Sequence, residues 1–174
     1  MIDRLLLVLT FVSALGCGLV AGIFFAFSAF VMKALGRIPP AQGIAAMQSI
    51  NVAVINPGFL TAFFGTALAC LVLAISSLVR WHEPGAPYLL VGSLLYLIGT
   101  ILVTMAFNVP RNDALAAVDP ASTDGALLWA GYLTRWTAWN HIRTAAALAA
   151  AASLTVALCL QAMAYLQKAP SAPS

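Results

Sequence analysis

Charged side chains are scarce in this sequence: only 7% of its 174 residues are Asp, Glu, Lys or Arg, and it has two histidines and three cysteines. Each shortage excludes something. So few charges cannot solvate the surface of a water-soluble domain, and the net charge of +3 is scattered rather than gathered into a basic face, which argues against nucleic acid as a partner. Cys17, Cys70 and Cys159 are odd in number, form no CxxC pair and lie in apolar stretches. They read as small buried residues rather than a disulfide framework or a thiolate metal site. No second histidine or carboxylate stands at ligand spacing from His141, so a metal or haem has no evident ligands.

What is present is apolar: 63% of the residues are hydrophobic and the mean hydropathy is +0.99. Four stretches are long enough to cross the roughly 30 Å of hydrocarbon, which takes about 20 residues of helix. The first begins at Leu5 and runs uncharged to Met32, too long for a signal-peptide core of about 7–15 residues, so it is read as a span. The expectation is one domain over residues 1–174, an all-α integral membrane four-helix bundle with spans near 5–32, 57–79, 87–108 and 139–166. A multi-pass protein of a bacterial inner membrane is the expected setting.

The connections carry their own signals. Gly36 and Pro39-Pro40 end the first span, and Ile44, Met47 and Asn51 share one face of a short interfacial helix in the first loop. Asn56 is placed to cap the second span, with Pro57 in its first turn. Pro110 is expected to stop the third span, after which a long, partly helical loop leads to the fourth. Gly18 and Gly22 form a GxxxG pair extended by Ala14 and Ala26, which predicts close approach of another helix and allows a homo-oligomer through small-residue faces. Lys33, Arg37, Arg111, Arg135 and Arg143 on one side face Arg4, Arg80 and Lys168 on the other. Counted literally, they put both termini outside, and leaving out Arg111, Arg135 and Arg143, the three arginines in or beside the candidate site, reverses this, so orientation stays open.

Against this background "RWTAWNHIR", residues 135–143, concentrates polar groups in one place. On a helix, Trp129, Tyr132, Trp136, Trp139, Asn140 and Arg143 fall within an arc of about 100°, the width of a buried stripe. Asn108, Arg111 and Asn112 reach the same side of the membrane, and Asn51 is within range of it. An asparagine and an arginine roofed by tryptophans suit a flat aromatic ligand carrying oxygens. An interfacial belt, with Trp and Tyr at lipid headgroups and Arg143 reaching to phosphate, is the alternative. That belt leaves Asn108 and Asn140 without a reason, since an asparagine near hydrocarbon costs free energy unless it is paired. His141 falls about 140° from Trp136, off the arc, and so faces another neighbour. No span is read as carrying a line of polar groups through the midplane, which disfavours a channel.

The stretches "NVPRNDAL" (108–115) and "WAGYLTRWTAWNHIR" (129–143), together with "GIFFAF" in the first span and "MQSINVAVINPGF" before the second, resemble the anthrone oxygenase-like family of small four-helix membrane proteins. Characterised members oxidise anthrones to anthraquinones with molecular oxygen. The resemblance implies polar site positions at Asn108, Asn112, Trp139, Asn140, His141 and Arg143. An anthrone enolate can give an electron directly to oxygen, so such an enzyme needs no flavin or metal, and none is expected as cofactor. His141 is then the candidate base, Arg143, Asn140 and Asn108 complete the expected catalytic set, and Trp129, Tyr132, Trp136, Trp139, Arg111, Asn112 and Asn51 the substrate-binding set. The competing class is a non-enzymatic membrane protein that binds a lipid, a small hydrophobic molecule or a membrane-protein partner.

Overall fold

The computed structural model describes residues 2–167; Lys168, counted above, lies outside them. Four helices are long and apolar enough to span a membrane: α1 (Asp3–Leu35), α3 (Pro57–Val79), α4 (Ala86–Ala116) and α5 (Thr123–Gln167). The short α2 (Pro40–Ala53) lies between the first two and buries Ile44 and Met47, as their shared face predicts. Pro39 is extended, which breaks the chain between α1 and α2. The Asn56 side chain accepts from the Phe59 backbone N–H at 3.0 Å, the expected cap of α3.

Two elements run on where the sequence suggested a stop. Pro110 does not end α4, because it follows a π-helical turn at Thr104–Asn108 and opens a fresh α-helical turn, where its missing N–H falls at a change of hydrogen-bond register. The Arg111 guanidinium donates to the Phe107 carbonyl beside that change. Residues 123–138, read as part of the third loop, are helical and continuous with the last span, so α5 has 45 residues and is about 67 Å long at 1.5 Å per residue. That is more than twice the hydrocarbon thickness.

The unequal helix lengths divide the bundle into two tiers. In the inner tier α1, α3, α4 and α5 enclose a core of Cys17, Val20, Leu73, Tyr96, Leu154 and their neighbours. The start of α3 lies level with Phe24, since Phe63 packs edge-on against Phe24 and stacks on Phe59. Beyond that level α3 is absent and α2 takes its place against the ends of α1 and α4 and the beginning of α5. The outer tier so formed has its own core of Met32, Ile44, Met47, Leu115, Trp129, Tyr132 and Trp136. Gln48 ties α2 to the end of α4 through the carbonyls of Leu115 (2.8 Å) and Val118 (3.1 Å).

Close helix contacts use glycines other than the expected pair. Gly18 and Gly22 are exposed, and a Cβ on either meets nothing within 4 Å, so this face has no partner among the described residues. Gly16 instead admits Thr66 of α3. Gly99 abuts Ala146, and a Cβ on Gly92 would lie 2.9 Å from the Leu154 side chain. The close helix contact expected at Gly18 and Gly22 is not made among the described residues, because the phase of α1 turns its other face to the bundle.

Candidate functional site

Where the two cores meet, three helices, α1, α4 and α5, contribute polar side chains to one connected network. Asn140, fully enclosed, is at its centre: its amide donates to the Phe24 carbonyl and to Ser28 Oγ of α1, each at 2.7 Å. Its Oδ1 accepts from Arg143 Nη2 at 2.7 Å, one turn further along α5. Arg143 Nη1 reaches Thr104 Oγ1 of α4 at 3.3 Å. The guanidinium lies over two aromatic faces, Phe24 at 4.1 Å and Trp136 at 5.0 Å. Thr144 joins through Ser28 at 3.2 Å and the Asn140 carbonyl at 2.8 Å.

A second cluster continues outward from the first. Asn108 donates to the Trp136 carbonyl at 3.2 Å. Asn112 Oδ1 accepts from both the Tyr132 hydroxyl and the Trp136 indole N–H, each at 2.8 Å. The rings of Trp129, Tyr132 and Trp136 form a ladder, with centroids 5.5 and 5.8 Å apart and planes within 18°. One asparagine thus fixes the two rings of this ladder nearest Arg143, and burial of their polar atoms costs little because both are paired.

The structure therefore brings Asn108, Asn112, Tyr132, Trp136, Asn140 and Arg143 together, with Trp129 completing the ring ladder. Three expected residues stand apart. His141 is exposed, on the opposite flank of α5 from Arg143, as its helical phase implies. Trp139 does not roof Arg143, but lies half-buried against Phe107 with ring centroids 3.6 Å apart. Arg111 lies one turn out from Phe107, toward the outer surface. Asn51, on α2, adjoins Tyr132, and its side-chain nitrogen is enclosed.

Ser28, Thr104 and Phe24 enter the site without having been singled out. A detectable signal existed for the α4 member: Tyr96, Thr100, Thr104, Asn108 and Asn112 recur every fourth residue. On a regular α-helix such a row drifts by about 40° per step. The π-helical stretches at Leu95–Leu102 and Thr104–Asn108 hold more residues per turn and wind the row back toward the interior. The expectation that no span carries a polar line through the midplane is thus overturned by α4, whose Tyr96 and Thr100 are fully enclosed. A search tuned to 3.6 residues passes over this row.

Arg143 is only 4% exposed, yet it has no carboxylate partner among the described residues, where the ion pairs join Arg80 to Asp3 and Glu83. Its Nε is enclosed without a hydrogen-bond partner, as are Asn108 Oδ1 and Thr100 Oγ1. A buried cation held only by neutral oxygens and ring faces is costly to maintain. Among the described residues no three His, Cys, Asp or Glu side chains gather where a metal ion would be held.

No curated protein and no solved structure matches the chain. The model of the family described as anthrone oxygenase matches residues 59–153, a stretch that contains α3 from Phe59, all of α4, and α5 through Ser153, and with them every network residue except those of α1. More than half of the chain is covered by that match, and the chain belongs to the anthrone oxygenase family.

Proposed function

We propose that the protein oxidises an anthrone-like or other phenolic aromatic with molecular oxygen, without a cofactor, at the boundary between its two cores. Family membership supports the reaction class, and the observation that carries the assignment to this site is the uncompensated guanidinium of Arg143 between two aromatic faces. A phenolate or enolate oxygen supplies the missing negative charge, and its rings match Phe24 and Trp136. With His141 turned outward, the cation itself makes the substrate more acidic, and the released proton leaves to solvent. The enolate carbon then gives one electron to oxygen, and the resulting radical pair joins as a carbon-bound peroxide. Protonation of the peroxide and loss of water leave the new carbonyl. In balance, a methylene and O2 become a carbonyl and H2O. Asn108 Oδ1 and Arg143 Nε, both without protein partners, are suited to an acidic hydrogen and an oxyanion of the ligand respectively.

The test is oxygen consumption by purified protein with an anthrone, measured above the spontaneous rate and alongside Arg143→Gln. Turnover lost in the variant supports the proposal, and equal rates in the two proteins overturn it. Iron, copper or a flavin or haem spectrum recovered in one-to-one ratio would overturn the cofactor-free mechanism. A second reading, binding without turnover, is favoured by one feature. Arg143 is 4% exposed and covered by the rings of Phe24 and Trp136, so a ligand reaches it only by displacing covering side chains. Tight binding of a phenol with no oxygen uptake would select that reading.

A further inference from the structure

An open groove of about 430 Å³ runs along the outer surface between the end of α4 and the beginning of α5, within the size range of small-molecule sites. Its walls include Arg111, Arg135, Leu127, Leu128, Gly131 and Tyr132. No carboxylate lines it, and neither arginine has an ion-pair partner among the described residues. The Phe107 carbonyl anchors one nitrogen of Arg111 and leaves its remaining donors available. Gly131 keeps the floor flat, and a Cβ there meets nothing within 4 Å.

We propose that this groove captures a planar aromatic acid. Its anionic group lies between Arg111 and Arg135, and its rings lie on Leu127, Leu128 and Gly131. The final step rests on the oxygenase reading: from the groove the molecule passes between Tyr132 and Trp136 to Arg143. Tyr132 is the shared wall, since it lines the groove while its hydroxyl binds Asn112, which also holds the Trp136 indole. Along α5, Arg135 stands about 12 Å outward of Arg143.

The order of groups along the groove distinguishes this ligand from a phospholipid. Arg135 lies on the membrane side, and Leu127 stands about 12 Å further out on α5. A phospholipid whose phosphate met the arginines would send its chains into the bilayer, away from Leu127 and Leu128. An amphiphile arriving from the water phase places its rings on those leucines and its acidic group on the arginines.

The test uses the full chain in phosphatidylcholine nanodiscs, titrated with 9-anthracenecarboxylate and with its methyl ester by fluorescence. Two charge-assisted contacts predict that the acid binds at least about tenfold more tightly than the ester, and that Arg135→Gln removes most of that difference. A Cβ at residue 131 meets nothing within 4 Å, so Gly131→Leu fills the floor and should weaken both ligands without lowering the melting temperature. Arg143→Gln should keep acid capture and lose turnover. Equal affinity for acid and ester, or an unaltered preference in Arg135→Gln, would overturn the capture site. So would competition by phosphatidylglycerol, which would assign the groove to lipid headgroups. Acid capture that depends on Arg135, without oxygen uptake by the wild type, would leave the capture site standing and remove the oxygenase reading and the onward step with it.

Discussion

Leu115 and Leu154 are both fully enclosed, the first beneath α2 in the outer tier and the second among the four spans. Their surroundings differ in kind. The inner core is built where lipid replaces water outside the protein, so burial of an apolar side chain there gains packing rather than removal from water. Its contacts accordingly use small residues, with Gly92 and Gly99 letting α4 approach Leu154 and Ala146 of α5. The outer core is richer in large rings, and its Tyr132 and Trp136 carry polar atoms that Asn112 must satisfy. The buried polar network lies at the junction, where the polar ends of those rings and the π-helical turns of α1 and α4 coincide.

The sharpest test of this contrast applies one truncation to both cores. Leu115→Ala should cost about 2–5 kcal/mol, because it loses transfer from water as well as packing. Leu154→Ala should cost less in lipid, where only packing and the cavity term remain. Unfolding free energies in bicelles measure both, and equal losses would break the distinction. Amide exchange should show the Leu115 lesion confined to residues 36–56 and 117–135, with the spans still protected.

The next effect separates function from either core. Arg143→Gln should lower turnover about 10²–10³-fold, as expected for removal of an oxyanion donor from a dry site. Its melting temperature should hold or rise, because an unpaired buried cation is lost. A parallel loss of melting temperature and activity would make Arg143 a structural member of the junction.

Helix contacts give a smaller effect. Gly99→Leu places side chain against Ala146 and should destabilise by about 1–3 kcal/mol or more through overpacking. Gly22→Leu faces open space and should change the stability of the folded chain by less than about 0.5 kcal/mol. A large loss in Gly22→Leu, accompanied by a change in sedimentation, would reveal that this face is buried against a second copy. Smallest of all is His141→Gln: an exposed side chain across the helix from the network should leave turnover within about twofold and stability within about 0.5 kcal/mol.

Much of the site was legible because helical phase acts locally. Trp129, Tyr132, Trp136, Asn140 and Arg143 share one arc in the sequence and one buried face in the structure, while the outward phase of His141 follows from the same arithmetic. Trp139 shows the limit. It lies at the edge of the same arc, but the neighbour at that phase is Phe107, not the arginine. The extension of α4 beyond Pro110 was hidden because a proline reads as a stop unless the preceding turn has already changed its hydrogen-bond register. The four-residue polar row on α4 was hidden by the same change of winding.

The sequence by itself determined four membrane-crossing lengths, the cap at Asn56, the break at Pro39-Pro40 and the face of α5 that gathers polar and aromatic groups. These depend on hydropathy over a span, on backbone restrictions and on the position of a side chain around its own axis. Tertiary structure alone decided that α2 takes the place of α3 in the outer tier, that Gly16 rather than Gly18 meets a neighbouring helix, and that Arg143 is buried without a carboxylate. Each of these depends on which residue of a distant helix stands opposite, and a linear pattern contains the phase of one helix but not the phase of its partner.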